Sequence, residues 1–203
     1  MSANPPPDPY EYTQYPGVLI NKLNIYSATQ LQAAEAALTA SRINALEARP
    51  LTGQFDLAHL QAIHRHIFQD IYPWAGELRA IDIAKGQSYF ASHRYLVSSA
   101  QTIFARLKQE QHLKGLPREH FAERSGYYLG EINALHPFRE GNGRAQRVFL
   151  LFLARAAGYD LLWNQVTQER MVQASETSLL RGNNQQFAQI FLDITIRLQQ
   201  PRV

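Results

Sequence analysis

Cysteine is absent from the 203 residues. That excludes a disulfide framework, a thiolate zinc site and a cysteine nucleophile, and it fits a reducing compartment, so the expected location is cytoplasmic. Long apolar runs are missing as well. The longest near the middle, Val148-Phe149-Leu150-Leu151-Phe152-Leu153, is far short of the ~20 residues that span a bilayer. Met1 to Pro9 is proline-rich and has no basic stretch followed by an apolar one, unlike an export signal. No membrane association is expected. Charge of one sign is also scarce: 20 Lys plus Arg against 17 Asp plus Glu leave a net charge of +3. So small and scattered an excess argues against direct nucleic-acid binding, despite a basic isoelectric point. What is present is a globular composition, 45% hydrophobic and 18% charged, able to bury the core of one domain. Residues 1–16 read as an extended lead-in and residues 17–203 as that domain.

Helical periodicity dominates the domain. Ser27 followed by Gln30 resembles a capping box, and Leu31, Ala34, Leu38 and Ile43 recur at helical spacing. Asp56 caps a second helix whose apolar face carries Leu57, Leu60, Ile63, Ile67 and Phe68. From Leu78 to Phe90 the period changes, with Ile81 and Ile83 alternating around Asp82 and Lys85-Gly86 as a turn. This predicts a short β-hairpin lying on the helices as a flap. Helices are predicted again over residues 94–111, 117–135, 142–157, 168–180 and 184–199. The fold class is all-α, a helical bundle with one small hairpin.

One segment breaks local helix rules: His136-Pro137-Phe138-Arg139-Glu140-Gly141-Asn142-Gly143-Arg144-Ala145-Gln146-Arg147. Gly141, Asn142 and Gly143 tolerate unusual backbone angles where a helix starts, so free N–H groups converge on an anion. Arg144 and Arg147, three apart, oppose the helix dipole there unless an anion lies between them. Planar guanidinium forks suit phosphate, and the alternative is that both are solvated or paired with glutamates. Glu140 beside such a nest is either a magnesium-type carboxylate or an ordinary surface one. His136 precedes Pro137, which favours an extended backbone and ends the helix, placing the imidazole at the corner of the same loop. Histidine there suits a general base. The other histidines, His59, His64, His66, His93, His112 and His120, read as structural. A base, a carboxylate, a nest and two arginines fit phosphoryl or nucleotidyl transfer.

Residues 136–147 resemble the Fic signature, His-Pro-Phe-x-Asp/Glu-Gly-Asn-Gly-Arg-x-x-Arg, with every defining position matched. Tyr72-Pro73-Trp74-Ala75-Gly76-Glu77-Leu78-Arg79 is similar to the family's lead into its flap. The resemblance spans roughly Gly17 to Leu198. It implies the Fic helical fold and transfer of AMP from ATP to a hydroxyl side chain of a target protein. By position, His136 would deprotonate the hydroxyl and Glu140 would hold Mg²⁺. Asn142 and Gly143 would line the anion hole, with Arg144 on the β-phosphate and Arg147 on the γ-phosphate. Arg139 and Gly141 count among the nucleotide-binding residues, as do Asn133 and Gln173 toward the adenine. Lys85 and Gly86 would belong to a flap that registers the target by strand addition.

Many relatives carry an inhibitory helix with the pattern Ser/Thr-x-x-x-Glu-Gly/Asn. Here no Glu has Ser or Thr four residues before it, and the only Glu followed by Gly or Asn is Glu140. The resemblance then implies a toxin whose inhibitory helix sits on a separate small antitoxin, with a DNA gyrase or topoisomerase IV subunit as a possible target. Rival readings are a Fic enzyme that transfers another phosphate-containing group or removes AMP, and a non-catalytic regulator that binds nucleotide or nucleic acid.

Overall fold

A computed structural model describes residues 8–85 and 88–198, with the backbone alone at Lys85 and Ser88. Gly86 and the Lys85 side chain, counted above toward target registration, lie outside the described residues. Seven α-helices are present among them: α1 (Ala28–Ala48), α2 (Leu57–Phe68), α3 (Leu96–Gln109), α4 (Arg118–Leu135), α5 (Asn142–Ala156), α6 (Gln168–Arg181) and α7 (Gln185–Ile194). Side-chain caps start three of them. Ser27 accepts from Gln30 N, Asp56 from His59 N and Thr167 from Arg170 N, each satisfying one orphan amide. Gly182, left-handed at φ 63°, closes α6.

α5 is the centre of the molecule. Ala145, Val148, Phe149, Leu150, Leu151, Leu153 and Ala154 are buried around its whole circumference, as befits a helix enclosed by others. α2 and α4 pack against it, and α7 lies along α4. The hairpin is present but minimal: β1 (Ala84–Lys85) pairs antiparallel with β2 (Ser88–Tyr89), in the register Ala84↔Tyr89 and Lys85↔Ser88. Its base is tied to the bundle where Ala91 N donates to Ala134 O at 2.9 Å.

Two segments depart from the sequence reading. The predicted last helix stops at Ile194, and Thr195 begins a strand. β4 (Thr195–Arg197) pairs antiparallel with β3 (Tyr159–Leu161), Leu161 opposite Thr195. The β-branched Thr195 and Ile196 suit this pairing, and Arg118 donates to the Thr195 and Leu192 carbonyls where the helix ends. The second departure is the lead-in. Residues 8–16 form turns docked on the bundle rather than an extended arm. Tyr10 packs edge-on against Trp74 at 5.4 Å and its hydroxyl accepts from Ala80 N at 2.9 Å. A β-bridge joins Glu11 to Leu19. Among the described residues, no helix is long and apolar enough to cross a membrane.

Candidate active site

The turn between α4 and α5 is built by side chains that recapture its backbone. Asn142, buried at the start of α5, accepts from Phe138 N at 2.9 Å and donates to Phe138 O at 2.7 Å. Its amide is thus a staple across the loop, and only its backbone remains to serve an anion. Phe138 is fully buried, and its ring stacks on His64 at 3.8 Å. His64 holds the loop from below: its Nδ1 accepts from Gly76 N at 2.9 Å, and its Nε2 lies 2.9 Å from Glu140 O. The first contact requires a bare Nδ1, so Nε2 carries the proton and donates to Glu140 O. Burial is the main reason its pKa falls to about 4, keeping the ring neutral.

Gly141 and Gly143 differ in why they are glycines. Gly141 has φ 80° and an added Cβ would sit 2.1 Å from the Phe68 ring, so the protein's own packing demands glycine. At Gly143 an added Cβ would meet only Arg147 Nη1, at 3.4 Å. The chain leaves that position open. Gly141 supplies no side-chain cap to α5, so the first amides of the helix are left for a ligand.

His136 is the C-cap of α4 and is left-handed, φ 44° and ψ 62°, not extended as expected. Pro137 disfavours only the right-handed helical region at this residue. The left-handed turn reverses the chain while His136 N still donates to Ile132 O at 3.0 Å. Strain of this kind concentrates at functional positions. The imidazole stacks on Phe90 at 3.8 Å and its Nδ1 is 3.2 Å from Asn133 O. A proton on Nδ1 would leave Nε2 as a base.

Arg79 fastens the flap to this corner. Its side chain is fully buried, with Nε donating to His136 O at 2.8 Å and Nη1 to Ile81 O at 2.6 Å. Nη2 reaches Leu135 O at 3.3 Å and also Ala91 O. One guanidinium therefore satisfies carbonyls from the loop, the helix end and both arms of the flap.

A cavity of about 770 Å³ opens between the loop and α6, in the usual size range for ligand sites. Asn133, His136, Glu140, Gly141, Asn142, Gly143, Arg144 and Arg147 all line it. Its far wall comes from Trp163 and from the face of α6 carrying Met171, Ser175 and Leu179. Gln173, expected toward the adenine, is exposed on another face of α6 and outside the cavity lining. The helical period puts residues 171, 172, 175 and 179 inward and 173 outward. Arg139 borders the cavity, yet its guanidinium is committed to Asp8 at 2.7 Å and Glu11 at 3.1 Å. It lines the cavity with its charge already shared with the lead-in.

The two signature arginines stand in opposite states. Among the described residues no carboxylate pairs with Arg147, whose pKa is lowered by burial and then by Arg144. A half-buried guanidinium without a counter-ion calls for an anionic ligand. Arg144 is paired: Glu35 of α1 accepts at 2.6 Å and Glu140 at 3.3 Å. Tyr72 donates to the other Glu35 oxygen. Sequence reasoning missed Glu35, which lies 109 positions from Arg144 with no local pattern to flag it. His64, read as structural, is structural: it braces the loop from beneath.

No cluster of three or more His, Asp or Glu that could hold a metal exists among the described residues. Glu140 is a lone carboxylate, with Oε1 accepting from Gly141 N at 2.8 Å and no hydrogen bond from a described residue on Oε2. That donor set fits Mg²⁺ bound through one carboxylate with waters and phosphates as its remaining ligands.

Residues 54–154 match the Fic/DOC family. Protein adenylyltransferase VbhT of Bartonella schoenbuchensis is 42% identical over 188 residues, which make up 93% of this chain and 39% of that protein. A Salmonella typhimurium protein named "Probable protein adenylyltransferase Fic" is 42% identical over 175 residues, 85% of each chain. This chain thus spans about two-fifths of VbhT and most of the Salmonella protein. Among solved structures, the N-terminal Fic domain of a VirB-translocated Bep effector from Bartonella quintana, with bound ADP, superposes with a TM-score of 0.89. The two are 30% identical, over 94% of this chain and 95% of that one. BepC of Bartonella tribocorum, with bound AMPPNP, gives a TM-score of 0.87 at 27% identity, over 94% of this chain and 97% of that one.

Proposed function

Because the chain belongs to the Fic/DOC family, we propose that it is a protein adenylyltransferase, moving AMP from ATP to a hydroxyl side chain of a target protein. The observation that carries this reading is Arg147, a cavity-lining guanidinium without a carboxylate partner among the described residues, next to the open amides of α5. A polyphosphate supplies the charge that this corner lacks. The open position at Gly143 suits close approach of phosphate to backbone.

In the proposed mechanism, His136 with its Nδ1 proton on Asn133 O accepts the target's hydroxyl proton at Nε2. The hydroxyl oxygen bonds to the α-phosphorus as the bond from that phosphorus to the oxygen bridging the α- and β-phosphates breaks, and pyrophosphate leaves. Arg147 and the α5 amides take up charge on the phosphates, and Arg144 offers its remaining donors to the β-phosphate. Mg²⁺, held by Glu140 Oε2, would offset polyphosphate charge when bound. The stacked Phe90 and the carbonyl of Asn133 fix the imidazole plane, so the base is pre-oriented. The flap, anchored by Arg79, would offer strand β2 to an extended target segment, with Tyr89 exposed beside it.

The same unpaired Arg147 supports a regulatory reading. A separate small antitoxin with a Ser/Thr-x-x-x-Glu-Gly helix would supply the carboxylate that this sequence does not encode, making the chain the toxin of a pair that acts in the cytoplasm. Gyrase and topoisomerase IV subunits are candidate acceptors on the resemblance alone. Mass spectrometry of a lysate incubated with the protein, Mg²⁺ and ATP tests the activity. An AMP adduct on Tyr, Thr or Ser that vanishes with His136→Ala is expected. Adducts of equal yield with His136→Ala would overturn the role of the base.

A further inference from the structure

Arg144 is more closely held than a phosphate ligand needs to be. Nη2 donates to Glu35 Oε1 at 2.6 Å and to Glu140 Oε1 at 3.3 Å, and Nη1 donates to Thr39 Oγ1 at 3.3 Å. Its Cζ lies 4.7 Å from the centre of the Phe68 ring. A guanidinium has five N–H donors, so Nε–H and one Nη1–H have no acceptor among the described residues. Glu35 is itself braced. Tyr72 donates to its second oxygen, and the Tyr72 ring stacks on Trp74 at 4.3 Å. Thr39 Oγ1 donates to the Glu35 carbonyl at 2.7 Å. Farther along α1, Arg42 forks onto Asp70 at 2.7 and 2.8 Å, fixing the helix against the end of α2.

Two carboxylates therefore compete for one guanidinium. Glu35 is nearer and less solvated, its side chain 12% exposed against 43% for Glu140, so its attraction is the stronger. Glu140 sits four residues before Arg144, just ahead of α5, and is already within 3.3 Å of it. We propose that Glu35 is the positioning residue of this site. It acts through Arg144, holding the guanidinium mainly on α1 so that its contact with Glu140 stays at 3.3 Å, on Oε1 alone; Arg144 then keeps two donors for the β-phosphate and Glu140 keeps its other oxygen for the cation. The proposal rests on the adenylyltransferase reading, and it adds a charge from α1 to the phosphate end of the site, otherwise made by the loop and α5.

A purely structural α1–α5 bridge would affect all nucleotides alike, whereas a positioning role depends on the phosphates beyond the first. The test is calorimetric titration of wild type, Glu35→Gln and Tyr72→Phe with AMP, ADP and ATP in Mg²⁺, with thermal midpoints recorded. For Glu35→Gln, ADP and ATP are expected to weaken roughly tenfold and AMP by less than about twofold. The Mg²⁺ concentration needed for half-maximal tightening of ATP binding should rise in parallel. Tyr72→Phe keeps the stacked ring and should show the same selectivity with a smaller loss. Equal weakening of all three nucleotides, or affinities matching wild type, would overturn the positioning role. If Glu35→Gln does not fold, the same comparison with Tyr72→Phe decides. Wild type that binds none of the three would instead refute the adenylyltransferase reading itself.

Discussion

His64 makes a quantitative claim about how the signature loop is held. Its ring is fully buried between Phe138, Phe68 and Trp74, and it must stay neutral to accept from Gly76 N and donate to Glu140 O. The ordinary value of 6.5 drops to about 4 in the folded chain, chiefly through burial and despite the hydrogen bond to Glu140 O. The unfolded chain therefore takes the proton first. The stabilisation is complete above the unfolded value and is lost as the pH falls from 6.5 toward 4. Between about pH 7.5 and about pH 4.5 the loss amounts to about 2–3 kcal/mol. Other groups titrate in this window, including His59, His66 and His112, all lowered mainly by burial. A comparison with His64→Gln cancels them, because glutamine has no such proton. Urea denaturation of both proteins at the two pH values should show wild type more stable near neutrality, with the gap narrowing by about 2–3 kcal/mol at the acid end. A gap constant to within about 0.5 kcal/mol would show that His64 is not held neutral by burial, and the assignment of its tautomer would fall with it.

The two loop glycines should separate folding from ligand approach. Gly141→Ala, with its Cβ driven into Phe68, should cost about 2–4 kcal/mol in urea denaturation. Gly143→Ala should leave stability unchanged or raise it by up to about 1 kcal/mol, yet lower ATP affinity by calorimetry; unchanged affinity would remove phosphate from that position. Arg79→Met should cost about 3 kcal/mol in thermal denaturation, since it strands the carbonyls of Leu135, His136 and Ile81; a loss under about 1 kcal/mol would mean that water replaces the guanidinium. Arg139→Ala, which breaks partly exposed pairs with Asp8 and Glu11, should cost about 1 kcal/mol or less and leave ATP binding intact. A large loss of ATP affinity in that variant would make Arg139 a nucleotide contact.

What the sequence makes legible depends on how far apart the interacting groups lie along it. His136, Glu140, the Gly-Asn-Gly nest and both arginines sit within one turn and one helix start, so their chemistry shows as a broken helix rule. Capping at Ser27 and Asp56 made the starts of α1 and α2 readable in the same way. Glu35 reaches Arg144 only through folding, and nothing in its own neighbourhood marks it; Tyr72, noted in the lead into the flap, joins the pair by donating to Glu35. The lead-in looked unstructured because prolines and tyrosines carry no period, yet Asp8 and Glu11 find their partner in Arg139 more than a hundred residues away. Thr195 and Ile196 continued a helical pattern until pairing with β3 offered their β-branched side chains a better place. Gln173 failed for a simpler reason: choosing one residue of a helix face requires knowing which face points inward.

The central claim is that this loop passes the α-phosphate of ATP, with its adenosine, to a protein hydroxyl by way of His136. The most direct test incubates the purified chain and a cell lysate with Mg²⁺ and ATP labelled at either the α- or the γ-phosphorus, with His136→Ala alongside. The account predicts α-label on an acceptor protein, no γ-label, and neither in the variant. Label transferred from the γ-position, or α-label undiminished in His136→Ala, would contradict it.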